Sequence, residues 1–140
     1  MTTRFEGYIA ALGAEIRAIP GFPAAVERSI VRAFSEVDRQ GLVLRGGKEV
    51  VVPGAPIPMA DRLRELQCIV ISWSDAPDAD ASALAELFHP VVMRYRAEGI
   101  TGITEVGTDE PKYGPDGIKA AVIVVRYRIA YRTLEDSLSQ

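Results

Sequence analysis

Cysteine and histidine are the scarcest reactive residues of this 140-residue sequence, with one of each. A single thiol, Cys68, cannot form an intrachain disulfide, so the fold does not require an oxidising compartment and we expect it to work in a reducing cytoplasm. One histidine and one cysteine cannot supply the usual ligand sets of a zinc site. The sequence therefore predicts neither a disulfide scaffold nor a zinc protein.

Long apolar runs are also missing. No run reaches the roughly 20 residues that span a bilayer, and Arg4 and Glu6 interrupt the N-terminal segment before a signal-peptide core could form. We therefore expect neither a membrane-embedded chain nor export by that route.

No large excess of charge of one sign is present. The 16 Lys and Arg side chains nearly balance the 19 Asp and Glu side chains, which gives a net charge of -3, and 48% of the residues are hydrophobic. This composition is typical of one folded domain, spanning residues 1–140, with a core of its own. It argues against non-specific nucleic-acid binding as the main activity, although a local basic stripe is compatible with it.

The longest β pattern covers residues 118–133. Its odd positions are β-branched or aromatic at nearly every step, which predicts a strand with one continuous buried face. The even positions are apolar up to Val124 and then become arginines. We therefore expect both faces of the first half to be covered, and only one face of the second half.

Two helices are predicted. Residues 3–19 carry apolar side chains spaced by three and four, with Thr3 and Glu6 in the form of a capping box. Residues 79–97 form the second helix, in which Pro90 predicts a kink or a break because it lacks the N–H that would bond to the carbonyl of Glu86.

The remaining segments predict a sheet. Residues 66–73 are apolar almost without interruption, which indicates a central strand. Gly46-Gly47 between two apolar runs predicts a two-residue hairpin. The segment at 25–34 fits a strand or a helix, and we favour a strand in its first part. The other expected elements are a proline-rich loop at 53–58, a strand at 100–106 and a polar loop at 107–117. The predicted fold is α+β, a single domain with a mostly antiparallel twisted sheet and two main helices packed against it.

Residue clusters that suggest catalysis have simpler explanations. Three aspartates before the second helix match ordinary helix-start chemistry better than a calcium loop: Asp75, Asp78 and Asp80. A nucleophilic pair of Cys68 and His89 would need an exposed thiol, whereas Cys68 lies in an apolar strand. We therefore predict a core role for both, no catalytic, metal-binding or cofactor-binding residue, no cofactor, and no enzymatic activity.

Interaction surface is what remains. One face of the last strand presents a basic row, Arg126, Arg128 and Arg132, with neighbours two residues apart spaced about 7 Å. This row is either a solvated, aggregation-protected face or a contact with a partner. A candidate partner is the acidic loop of an adjacent subunit, formed by Asp109, Glu110 and Asp116. That contact would be heterologous, and in a closed assembly a contact of that kind makes a ring. The loop from Ala55 to Met59, which carries Ile57 and Met59, is either a second contact or disordered.

Three further segments carry a family resemblance. Residues 41–49 read Gly-Leu-Val-Leu-Arg-Gly-Gly-Lys-Glu, residues 99–104 read Gly-Ile-Thr-Gly-Ile-Thr, and residues 127–133 read Tyr-Arg-Ile-Ala-Tyr-Arg-Thr. With the order of the elements, these segments resemble the tail terminator (tail completion) proteins of long-tailed bacteriophages and gene transfer particles. The resemblance covers most of the chain. Pro90 and the 53–58 loop depart from it.

The resemblance implies a structural virion protein. It implies a homo-oligomeric ring, usually of six subunits, that caps the head-proximal end of the tail tube and ends tube polymerisation. The ring would contact the tail tube protein and the head-completion proteins, and DNA would pass through its lumen without being read. It implies assembly in the host cytoplasm and a final location in the virion neck. The alternatives are another neck or connector component and, more distantly, a small cytoplasmic enzyme or ligand-binding module.

Overall fold

The computed structural model describes residues 2–28, 39–115 and 117–140, which contain two helices and six strands in one sheet. The elements are α1 (Arg4–Arg17), β1 (Ala25–Glu27), β2 (Gln40–Val52), β3 (Met59–Trp73), α2 (Pro77–Arg94), β4 (Ile100–Thr108), β5 (Lys112–Tyr113) and β6 (Ala120–Leu134). The strand order is β1-β2-β3-β6-β4, and β5 pairs with the start of β6. Among the described strands only β1 and β2 pair in parallel. The predicted α+β fold with a mostly antiparallel sheet is confirmed.

The core lies on one face of this sheet. Both helices pack on the face that carries Leu66, Cys68 and Val70 of β3. Helix α1 begins where the sequence predicts, because the Glu6 amide donates a hydrogen bond of 3.2 Å to Thr3 Oγ1. Its apolar stripe is fully covered: Phe5, Tyr8, Ile9, Leu12 and Ile16.

Strand β6 has the predicted buried face, but the prediction for its other face is wrong. Every odd position from 121 to 133 is buried. The even positions Ala120, Val122 and Val124 are only half-buried, so the first half of the strand is not covered on both faces as expected. The reason is that both helices pack on the same side of the sheet.

The predicted hairpin at Gly46-Gly47 is wrong. Strand β2 continues through both glycines, and the register shifts between Gly46 and Glu49, where two residues of β2 lie opposite one residue of β3. Gly46 is needed for a close approach: the Arg64 guanidinium stacks on the Phe5 ring, 4.4 Å from its centroid, against the Gly46 backbone. The actual turn is the predicted loop at 53–58, where Gly54 has a φ of 107°.

Helix α2 continues through Pro90, so the predicted break does not occur. Leu84 and Phe88 before Pro90 and Val92 after it are all buried on the same side. Their packing outweighs the one backbone hydrogen bond that proline removes. In the segment predicted as a strand or helix at 25–34, the described part is β1 and Arg28, and residues 29–34 lie outside the described ranges.

The β2 bulge gives a first prediction. A methyl group on Gly46 would lie 2.7 Å from Phe5 Cε1 and 2.7 Å from Arg64 Nη2. Gly46→Ala should therefore lower the free energy of unfolding by about 1–3 kcal/mol, the range for overpacked sites, as measured by urea denaturation. Gly102→Ala is the control, because nothing lies within 4 Å of its added carbon, and we expect a change within about 0.5 kcal/mol. Equal effects of the two substitutions would contradict the packing role of Gly46.

Candidate functional site

The sheet face opposite the helices is organised around Arg126. Its guanidinium forms a two-pronged ion pair with Asp109, with Nε to Oδ1 at 2.9 Å and Nη2 to Oδ2 at 2.6 Å. Its Nη1 donates to Glu65 Oε1 at 2.5 Å. Arg126 therefore joins β6 to β3 and to the segment that follows β4.

The same network continues across the sheet. Gln67 Nε2 donates to Glu65 Oε1 at 2.6 Å, and Arg45 Nε donates to Gln67 Oε1 at 2.7 Å. The sheet register explains the alignment, since Arg45 lies opposite Gln67 and Gln67 lies opposite Arg126. We call these five side chains, Arg45, Glu65, Gln67, Asp109 and Arg126, the polar ladder.

The ladder shifts the protonation equilibria of its charged members. The hydrogen bond from Gln67 and the contact with Arg126 lower the pKa of Glu65, and the Arg126 guanidinium lowers the pKa of Asp109. The two carboxylates raise the pKa of Arg126. All three groups are thus held in their charged forms.

The predicted basic row is divided by these contacts. Arg132 forms its own two-pronged pair with Asp61, with Nε to Oδ1 at 2.7 Å and Nη2 to Oδ2 at 3.1 Å. Arg128 is exposed and has no hydrogen bond or ion pair within the described residues. Two of the three arginines are therefore engaged inside their own chain, and Arg128 is the accessible one. A role of the row in partner contact stays a prediction.

The predicted acidic loop is divided in the same way. Asp109, proposed as a partner for a neighbouring subunit, binds Arg126 of its own chain. Glu110 is exposed, and Asp116 lies outside the described residues. Sequence reasoning identified the right charges, but the partner that Arg126 finds depends on a fold that brings residue 109 beside residue 126.

The second predicted contact lies at the tip of the β2–β3 hairpin. Ile57 is 89% exposed, whereas Met59 is half-buried as the first residue of β3, opposite Leu134. The expectation that both point outward thus holds for Ile57 alone. Val51 is 59% exposed beside them, and sequence reasoning missed it because the run Val50 to Val52 is typical of a buried strand.

A shallow groove on the helical side brings together three polar groups that the sequence did not link. The Tyr127 hydroxyl lies 2.7 Å from His89 Nδ1, and His89 Nε2 lies 3.6 Å from Glu105 Oε2. The His89 ring thus faces a phenol hydroxyl at one nitrogen and a carboxylate at the other. The predicted core position of His89 is wrong, since its ring is partly exposed at the wall of this groove of about 310 Å³.

The two most acidic hydroxyl and thiol groups in or near the groove, those of Tyr127 and Cys68, are not accessible. Tyr127 is fully buried, and burial raises the pKa of its hydroxyl. Cys68 is also fully buried, as predicted, and burial raises the pKa of its thiol, which keeps it in the unreactive form. A lone histidine was the one sequence signal for this place, and its partners lie on β4 and β6, far away in the chain.

Two of the three aspartates predicted to start the second helix do so. Asp78 and Asp80 lie in the first turn of α2, whereas Asp75 precedes the helix and pairs with Lys119 at 2.5 Å. Within residues 2–28, 39–115 and 117–140, no three acidic, histidine or cysteine side chains are grouped so that they could hold a metal ion. In the same residues no helix has the length and apolar character needed to cross a bilayer.

Comparison with known proteins shows a likeness of fold. No family model and no curated protein matches the sequence. The fold is similar to that of a chain in the solved structure of the virion of a native gene transfer agent particle, with a TM-score of 0.65. The match covers 94% of this chain and 100% of that chain, at 16% sequence identity. The two chains share a fold.

The polar ladder predicts a pH-dependent stability. The pKa values of Glu65 and Asp109 are lowered in the folded chain, so their contribution is complete above the unfolded carboxylate values near about 4. It is lost as the pH falls through the lowered folded values. Arg126→Gln should therefore lower the Tm at pH 7 and reduce the further fall in Tm between about pH 5 and pH 3, as followed by circular dichroism.

Arg128→Gln is the matched control, because it removes an arginine two positions away on the same face that has no partner within the described residues. It should leave both the Tm at pH 7 and its acid dependence close to those of the wild type. A wild-type acid dependence in Arg126→Gln would show that the ladder does not couple folding to carboxylate protonation.

Proposed function

We propose that this protein is a structural component of a phage-like virion and that it acts as the tail terminator. In this role a ring of copies, six by the family pattern, caps the head-proximal end of the tail tube. The observation that carries the proposal is the fold likeness, along nearly the whole chain, to a chain of a gene transfer agent virion. The segments at 41–49, 99–104 and 127–133, which resemble tail terminators, support the more specific role.

Capping requires shaped surfaces and no covalent chemistry. The chain offers such surfaces at the exposed hairpin tip and on the sheet face that carries the polar ladder. In the proposed ring, one side binds the last ring of tail tube protein and the other binds a head-completion protein. DNA passes through the lumen by fit and charge alone, which suits a chain with a net charge of -3.

The nearest alternative is another ring of the virion neck, because such a component would equally explain a virion-like fold. A ligand-binding module is the more distant alternative, and the groove beside His89 is where it would act. It is shallow, and the Tyr127 hydroxyl on its wall is buried. The fold likeness to a virion chain is what favours the structural role.

The first test is assembly. We expect the purified chain to form rings of uniform diameter with a central hole in negative-stain microscopy, and light scattering to report the matching mass. Added to its polymerising tail tube protein, it should stop tube growth and sit at one end of each tube. Rings that leave tubes growing would contradict the terminator role and favour the alternative neck position.

The accessible arginine gives a second test. Arg128→Glu should weaken ring formation and lower the Tm only slightly, because Arg128 has no intrachain partner in the described residues and the new carboxylate lies opposite Glu65. Arg94→Glu, which reverses another exposed arginine at the end of α2, is the control and should form normal rings. Normal assembly of both variants would remove the basic row from the subunit contact.

A further inference from the structure

We infer that the outer edge of β2 in one copy pairs, strand to strand, with the outer edge of β4 in the next copy. Residues 48–52 of β2 are here called the β2 edge, and residues 102–105 of β4 are called the β4 edge. The inference rests on the proposed function, because it supplies the repeated contact between copies that a ring needs.

The β2 edge is open. Strand β1 pairs with β2 only from Gly41 to Val43, and the Arg28 guanidinium donates to the next outward carbonyl, that of Leu44. From residue 48 onwards, no backbone group of the described residues pairs with the outer side of β2. A row of unpaired N–H and C=O groups is a template for another strand.

The second half of the β2 edge is apolar and exposed. It consists of Val50, Val51 and Val52, of which the first two are 42% and 59% exposed. The register shift of β2 lies earlier, between Gly46 and Glu49. An open, regular and apolar stretch of this kind is expected to pair with a further strand.

The β4 edge is the open side at the other end of the strand order. Within residues 2–28, 39–115 and 117–140, β4 pairs with β6 alone. Its register shifts lie between Ile100 and Gly102 and between Glu105 and Gly107, so residues 102–105 form a regular stretch between them. The sheet therefore has two open stretches, one on each side.

The sheet register places the two edges at the same level. Across β3 and β6, Glu49 is level with Ile103 and Val50 is level with Gly102. The pairs β2–β3, β3–β6 and β6–β4 are all antiparallel, so β2 and β4 run in opposite directions. A second copy set beside the first in the same orientation therefore brings its β2 antiparallel to β4 of the first.

Two backbone hydrogen bonds show which residues point across each pair of strands. The Trp73 amide donates to the Arg39 carbonyl at 2.8 Å, so the odd residues of β3 bond toward β2. The Arg132 amide donates to the Gly99 carbonyl at 2.8 Å, so the even residues of β6 bond toward β4.

The outward backbone groups of the two edges follow from this alternation. Val50 lies opposite an odd residue of β3, so its N–H and C=O point inward and those of Glu49 point outward. Gly102 lies opposite an even residue of β6, so its groups point inward and those of Ile103 point outward. Glu49 and Ile103 are level, and in neighbouring copies they can exchange both hydrogen bonds of an antiparallel pair.

Charge favours this joint over joints between two like edges. Lys48 is exposed and lies within two residues of the level of Glu105, whose side chain is half-exposed. The other charge on the β2 edge, Glu49, is paired with Arg62 of its own chain, and Glu135 lies beyond this level, at the tip of the β2–β3 hairpin. A β2–β2 joint would bring two lysines together and a β4–β4 joint two glutamates, whereas a β2–β4 joint brings opposite charges together.

The variant Val51→Pro tests the backbone contact. Val51, like Glu49, points its N–H outward, so proline removes a donor from the joint and none from the β2–β3 ladder. We expect self-association to weaken roughly tenfold or more, as measured by sedimentation, with a circular-dichroism melt close to that of the wild type.

The matched control is Val51→Thr, which keeps the N–H and removes the apolar character of the side chain. It should assemble normally. Normal rings from Val51→Pro would overturn the pairing, and so would an equal loss of assembly in both variants, because that result would assign the contact to the side chain.

Disulfide trapping tests the register. Across the joint Val50 and Gly102 form a non-hydrogen-bonded pair, whose Cα atoms lie about 4.5 Å apart, a distance that a disulfide spans. Gly102 has room for a side chain, and the one native thiol, Cys68, is buried. The double variant Val50→Cys/Gly102→Cys should therefore cross-link into a series of multimers on mild oxidation. Within one copy the two positions are three strand spacings apart, about 14 Å, which is too far for a disulfide.

The single-cysteine variants are the controls, and they should stay uncross-linked. Dimers of Val50→Cys alone or of Gly102→Cys alone would show joints between like edges and would overturn the inference. Rings of the double variant without the cross-link would overturn the edge pairing and leave the proposed function standing. Cross-linked rings that fail to stop tube growth would support the pairing and count against the terminator role.

Discussion

The pairing of β3 with β6 is the interaction on which the rest of the structure depends. The two strands pair antiparallel without a register shift from Met59 opposite Leu134 to Trp73 opposite Ala120. Because side chains alternate between faces, this one register places Leu66, Cys68 and Val70 on the face with Val125 and Tyr127. A slip of one residue would move that apolar set to the other face. The register therefore fixes the helical face and the ladder face together.

The polar ladder follows from the same register. With one face of β6 used for the core, the other face carries Arg126, Arg128 and Arg132, and like charges on one strand repel each other unless something neutralises them. Carboxylates on β3 and after β4 do this at two of the three positions, Asp61 for Arg132 and Glu65 with Asp109 for Arg126. These pairs also tie neighbouring strands together on a face where neither helix packs.

The sequence was sufficient where one local pattern has one physical solution. The period of two in β6, Thr3 as the N-cap of α1 and the apolar run of β3 predicted those elements, and the structure confirms them. The Glu6 carboxylate does not close the predicted capping box, because it pairs with Arg28. It was insufficient where one residue type serves two purposes. Gly46 could permit a turn or a close approach, and only the Phe5 ring and Arg64, both distant in sequence, show that it is an approach. Pro90 could likewise break the helix, or the helix could continue through it because side chains before and after Pro90 pack into the core.

The interaction surfaces were harder to predict for a related reason. The exposure of Val51 depends on where β2 ends, and the ion pairs of Arg126 depend on which residues lie opposite it in the sheet. Neither can be read from a short stretch of sequence. Exposed apolar side chains lie at the two ends of β2, Leu87 beside its start and Ile57 just beyond its end. No short window of sequence marks either position, because each depends on where the strand ends and on what packs beside it.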